Sequence, residues 1–174
     1  MSARRNDWIP LGRLEIREQS LDARLSFDDR KRGVLALSAF DSSSDELVDC
    51  VVDRHQYAAI RELLTECDTV HAKLRQCEFL MPKDVVPHAM VLNVDIGRIE
   101  MPHEAIACSL VMNRQRTPMV TLALTSSDSG EMVVMGLSKT DFDRLRDWLR
   151  DVERQLAELH QSGTLSEPFV TTND

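Results

Sequence analysis

The residue types that perform chemistry are few in this chain and lie far apart. Histidines stand at 55, 71, 88, 103 and 160 and form no cluster; His103-Glu104 and His55 near Asp53 are separate local pairs, read as surface polar residues. Four cysteines stand at 50, 67, 77 and 108, and none has a partner at the short gap of a zinc knuckle. Cys67 and His71 are four apart, the spacing that brings two ligands to one helix face, and Cys77 follows. No fourth ligand presents itself, so these are read as two buried thiols and a surface histidine. With only 6 glycines, the chain lacks the glycine motifs that cradle phosphates or present a nucleophile. The expectation is a protein that is not an enzyme, with no metal and no cofactor.

Charge is the chemistry that is dense. Arg30-Lys31-Arg32 is the tightest basic cluster, and Arg114-Gln115-Arg116 is a second. Against them stands a net charge of -8, from 21 Lys and Arg against 29 Asp and Glu. That balance argues against a broadly basic nucleic-acid coat but leaves room for a local basic patch. At 43% hydrophobic and 29% charged, the composition is that of a folded chain. No stretch reaches the roughly 18–20 apolar residues of a membrane span, and the start lacks the apolar run of a secretory signal. Reduced thiols in a cytoplasm are expected.

An internal duplication organises these residues. Shifted by 85, residues 12–74 align on 97–159 without a gap. Gly12-Arg13-Leu14-Glu15-Ile16 falls on Gly97-Arg98-Ile99-Glu100-Met101; Tyr57 meets Phe142, Ile60 meets Leu145, and Leu63-Leu64 meets Trp148-Leu149. Each copy opens with short alternating runs, the strand signal: about 12–18, 21–28, 33–41 and 46–52, then about 97–101, 105–113, 118–126 and 131–137. The period then becomes helical. Asp53 caps 54–74, with Tyr57, Ile60, Leu63, Leu64, Cys67 and Leu74 on one stripe; Ser138 caps 139–160, with Phe142, Leu145, Trp148, Leu149, Val152, Leu156 and Leu159 on the other. The fold class is therefore α+β, two tandem ββββα units. The domain reading is repeat 1 at 12–74, a linker at 75–95 broken by Met81-Pro82 and Val86-Pro87, repeat 2 at 97–159, and a flexible tail at 160–174. Residues 1–10 read as a second tail. A 63-residue unit is marginal alone, so the copies should pack together, side by side or with each helix crossing the other's sheet.

Alternation sorts the strands into two faces. Leu14, Ile16, Leu21, Ala23, Leu25, Leu35, Leu37, Val48, Cys50 and Val52 share the face that must meet the helices, as do their counterparts from Ile99 to Leu137. One helix covers only one face, so the opposite faces should be free. In the first copy that face shows Arg13, Glu15, Arg17, Asp22, Arg24, Ser26, Val34, Ser38, Phe40 and Asp49. In the second it shows Arg98, Ala107, Ser109, Val111, Met119, Thr121, Met132 and Val134, small and apolar in its middle.

Four strands and a helix, twice, resemble the Pur-alpha group of single-stranded nucleic-acid binders and its wider Whirly-like relatives. The resemblance is carried by Ala23-Arg24-Leu25-Ser26-Phe27 and Arg30-Lys31-Arg32-Gly33-Val34-Leu35-Ala36-Leu37 around one basic turn. The helix entry Val134-Met135-Gly136-Leu137-Ser138-Lys139, followed by Phe142, Leu145, Arg146, Trp148 and Leu149, carries the rest. It implies one intertwined pseudo-symmetric unit, with helices inside and sheet faces holding single-stranded DNA or RNA through basic residues and stacked aromatics. The expected track is Arg13, Arg17, Arg24, Arg30, Lys31, Arg32, Arg98, Arg114 and Arg116, with Phe40 for stacking. The alternative is a non-catalytic interaction or structural module that forms a homo-oligomer through Val111, Met119, Met132 and Val134.

Overall fold

The computed structural model describes residues 8–28, 30, 32–77, 92–112 and 118–170. It contains β1 (Ile9–Ile16), β2 (Gln19–Phe27), β3 (Gly33–Asp41), β4 (Glu46–Val52), α1 (Arg54–Cys77), β5 (Leu92–Glu100), β6 (Glu104–Met112), β7 (Pro118–Ser126), β8 (Met132–Leu137) and α2 (Lys139–Gln161). Two antiparallel four-stranded sheets result, β1-β2-β3-β4 and β5-β6-β7-β8, each followed by a helix.

The turns follow from local chemistry. Arg17 takes a left-handed backbone (φ 55) in the two-residue turn between β1 and β2. Asp45 (φ 59) and Gly130 (φ 73) do the same at matching places in the last hairpin of each sheet, and Asp and Gly are residues that tolerate it. Asp53 starts α1: its Oδ1 accepts the amides of His55 and Gln56 at 2.8 Å, while Gln56 Oε1 accepts the amide of Asp53. Ser138 starts α2 by accepting the Asp141 amide at 3.1 Å.

The first strand of each sheet begins earlier than alternation suggests. β1 starts at Ile9 rather than 12, and β5 at Leu92 rather than 97. Each carries a bulge, between Pro10 and Gly12 and between Asp95 and Gly97, which switches the inward parity and hides the strand's start from a period-two reading. α1 also runs on to Cys77, so the linker expected at 75–95 is shorter at both ends; its two proline breaks lie outside the described residues.

Each helix packs on the first strand of the other sheet. α1 lies mainly on β5 and β6, and α2 on β1. The two bulge glycines make room: a Cβ at Gly97 would stand 2.8 Å from Leu63 Cδ1, and one at Gly12 3.1 Å from Trp148 Nε1. Gly12 and Gly97 are 85 apart in sequence, as are Leu63 and Trp148. The same offset governs the polar contacts between the helices. Arg61 Nε pairs with Glu153 at 3.0 Å and Arg146 with Asp68 at 2.7 Å. Around these contacts the inner faces of both sheets and both helix stripes merge into one core, with Tyr57, Cys67, Phe142 and Val152 at most 1% exposed.

The described parts of the two ends expected to be tails, residues 8–10 and 161–170, belong to the fold; residues 1–7 and 171–174 lie outside the described residues. Ile9 and Pro10 belong to β1. After α2, Gly163 (φ 78) reverses the chain and the amides of Thr164 and Leu165 bond back to Leu159 O. Leu165 and Phe169 are then buried over Gly33 and beside Tyr57, whose ring lies 5.6 Å from that of Phe169. Arg54 holds the segment through Glu167 at 2.9 Å. Two anchors four residues apart around a proline carry no strand or helix period, which is why the sequence reads as a fraying tail.

The helix contacts differ in burial. Glu153 accepts both Arg61 and the buried Tyr57 hydroxyl, the latter at 2.9 Å. Asp68 is 39% exposed and pairs with partly exposed Arg146 and Lys139. Glu153→Ala therefore lowers stability by about 1–3 kcal/mol, because it leaves a buried hydroxyl unpaired. Asp68→Ala lowers it by roughly 0–1 kcal/mol. Urea unfolding of both variants checks this; equal losses would contradict it.

Candidate interaction faces

The middle of the first sheet's outer face is covered by its own side chains, while Arg13, Leu47 and Val51 on it are exposed. Ser20, Ser26, Ala36 and Ser38 are buried on it. Long charged side chains cover these small residues, as flexible stems do when their heads find partners. Arg24 spans the face, donating to Ser38 Oγ at 2.7 Å and pairing with Asp49 at 3.3 Å, while Ser38 also donates to Asp49. Trp8 lies 6.0 Å from the Arg24 guanidinium.

Four of the six described arginines expected to hold phosphates, Arg13, Arg24, Arg32 and Arg98, are already paired with carboxylates. Arg13 contacts Glu15 at 3.2 Å and Asp22 at 3.6 Å. Arg32 contacts Asp28 at 2.7 Å, and Arg98 pairs with Glu100. The amides of Arg32 and Arg30 and the Arg32 guanidinium hold the Asp28 carboxyl below its ordinary pKa. Arg17 and Arg30 are exposed, and no carboxylate partner for either stands among the described residues. They sit at opposite ends of β2, roughly 30 Å apart along an extended strand. Lys31, Arg114 and Arg116 lie outside the described residues. Phe40 is half-buried on the outer face, opposite Ser20 and Leu47.

The second sheet's outer face is different in kind. Val111 and Met119 are cross-strand partners and half-buried, and Met119 lies over Gly136. Val134, opposite Ala123, is 39% exposed, and Met132, opposite Thr125, is 49% exposed. Ala107, Ser109 and Thr121 fill the middle. The four residues expected at an interface thus share one face, with no charged side chain between them. Leu47 and Val51, on the outer face of β4, are also exposed and were not singled out by the sequence. Their strand alternates cleanly, so the signal was present.

β8 is tied to the first sheet from its edge. Gln19 Nε2 donates to Val134 O and to Asp41 Oδ2, each at 2.7 Å. Asp41 also accepts the hydroxyl and amide of Ser43. The Ser43 hydroxyl first, then Gln19, bring the Asp41 carboxyl down to about 2.

Among the described residues the histidines stay apart from one another; His88 lies outside them. His55 is exposed at the start of α1, His103 pairs with Asp128 at 3.0 Å, and His160 contacts Leu165 O at 3.1 Å. His71, expected at the surface, is buried on α1. Burial pushes the Cys50 thiol up to about 12. Cys67 is raised by its hydrogen bond to Cys108 and by burial. Among the described residues no three His, Cys, Asp or Glu side chains gather as a metal site would require. A cavity of about 280 Å³ lies between the 162–170 segment, the start of α1 and the β2–β3 end. Its arginines, Arg32 and Arg54, are held by Asp28 and Glu167. No helix among the described residues is long and apolar enough to cross a membrane.

No protein-family model matches this chain, and no curated protein does either.

Asp41 supplies a pH test of the link between the sheets. A carboxylate depressed in the folded state contributes stability above its unfolded pKa, near 3.8, and loses it as pH falls through about 2. Asp41→Asn should therefore flatten the fall in urea midpoint between pH 4 and pH 2 relative to the native chain. A parallel fall in both would contradict the assignment.

Proposed function

We propose that this chain is a non-catalytic interaction module. Its two ββββα repeats form one pseudo-symmetric unit, and the outer face of the second sheet docks a protein. The observation that carries this reading is the uncharged stretch of the outer face across β6, β7 and β8, which bears exposed Met132 and Val134, with the charged Asp95, Arg98 and Glu100 confined to β5 at its edge. A contiguous exposed apolar patch on a folded domain marks a partner surface more often than a phosphate track. The recurrence of the 85-residue offset in the bulges, in the glycine contacts and in the Arg61–Glu153 and Arg146–Asp68 pairs supports the pseudo-symmetric arrangement.

The nucleic-acid reading drawn from the Pur-alpha resemblance keeps the exposed Arg17 and Arg30 in its favour, together with the half-buried Phe40. Against it, a phosphate would have to compete with a carboxylate already in place at Arg13, Arg24, Arg32 and Arg98. Where stacking occurs it contributes roughly 1–3 kcal/mol per base, and one half-covered ring supplies little of that.

Fluorescence anisotropy of labelled single-stranded DNA, duplex DNA and RNA separates the two. The module reading predicts no binding below roughly 100 μM even at low salt, the range of weak non-specific association. Micromolar binding to single strands that falls steeply with salt, and is lost in Arg17→Glu with Arg30→Glu, would replace it with the nucleic-acid reading.

A further inference from the structure

We propose, on the basis of the interaction-module reading, that the partner of the second sheet's outer face is a second copy of this chain, packed face to face. Charge is the first argument. The chain carries -8, so contact between two copies is repulsive over most of its surface. The Ala107, Ser109, Thr121, Ala123, Thr125 and Val134 patch carries no charge of its own, and the charges beside it, Asp95 and the Arg98–Glu100 pair, lie along β5.

Shape is the second argument. Residues this small let two sheets approach to about 10 Å, the ordinary spacing of stacked sheets. The third is that two of the four edge strands, β8 and β1, have backbone carbonyls already bonded to side chains. Val134 O on β8 accepts Gln19, while Leu11 O and Glu15 O on β1 accept Gln155 and Arg144 of α2. Capped edges disfavour edge-to-edge pairing at those two strands and favour the flat face as the surface to cover.

Area sets the strength. β6, β7 and β8, about 4.8 Å apart and of 9, 9 and 6 residues, give the uncharged patch a planar footprint near 400 Å² per copy. Two copies then bury roughly 800 Å², below the roughly 1,200 Å² of stable interfaces and in the range of weak, transient ones. The dimer is accordingly weak and reversible. A face that pairs with itself also closes at two copies rather than growing into a fibre.

Sedimentation equilibrium of the full chain from about 1 to 200 μM tests this, a range that brackets micromolar association. The mass should rise with concentration from 19.8 kDa toward twice that value. Salt raised from about 50 to 500 mM should preserve or strengthen the dimer, because it screens like-charge repulsion. Val134→Glu and Met132→Glu should each weaken association at least tenfold, while Leu47→Glu on the first sheet should not. Circular dichroism melting confirms that each variant is folded; both second-sheet positions are exposed, so the core is untouched. A mass of 19.8 kDa at every concentration and salt would overturn the proposal, as would a dimer that survives both substitutions. A monomer that also ignores nucleic acid sinks self-association alone and leaves the module with a different partner. A monomer that binds single strands sinks the module reading as well.

Discussion

Neither four-stranded sheet can cover its apolar face with the helix that follows it. Everything else in the molecule follows from how that deficit is met. Leu63 of α1 lies against Gly97, and Trp148 of α2 against Gly12, so each helix closes the sheet of the other half. A unit of this size is marginal alone, and crossing the helices merges both inner sheet faces and both helix stripes into one core. The bulges are part of the same solution: each places a side-chain-free residue where the foreign helix comes closest. A Cβ at Gly12 would stand 3.1 Å from Trp148 Nε1, so the indole would have to move back from β1.

Because the helices are spent on the inside, the outer sheet faces set what the molecule meets. The two halves have diverged there. Arg24, Ser38 and Asp49 form a polar network on the first sheet. The aligned residues of the second are Ser109, Ala123 and Val134. One replacement set exchanges a charged network for small, uncharged side chains in the middle of the face. The C-terminal segment adds a further asymmetry, seating Leu165 and Phe169 on the first half alone among the described contacts.

Much of the core was legible in the sequence, and little of the electrostatics. The inward residues Leu14, Leu21, Leu25, Leu37, Val48 and Val52 are all buried as alternation requires, and so are Ile106, Leu110, Val120 and Leu137. Strand alternation and helix period are local, so a linear reading finds them. Leu11 and Ile96 sit in bulges, which reverse the alternation and displaced the expected strand starts. The partner of Arg24 is 25 residues away at Asp49 and becomes visible only once β3 and β4 are in register. By contrast, the Arg13-Leu14-Glu15 and Arg98-Ile99-Glu100 spacings place both charges on one strand face. Those pairs could have been read directly, and they weaken the phosphate track that the arginines alone suggest.

The central claim is that the two sheets are one cooperative structure, because each depends on the other's helix. Native-state hydrogen exchange, read residue by residue by NMR, tests it most directly. The slowest amides of β2 and β3 and those of β6 and β7 should share one opening free energy, within about 1 kcal/mol. If one sheet opened several kcal/mol more easily while the other stayed protected, the halves would be independent and the account would be wrong.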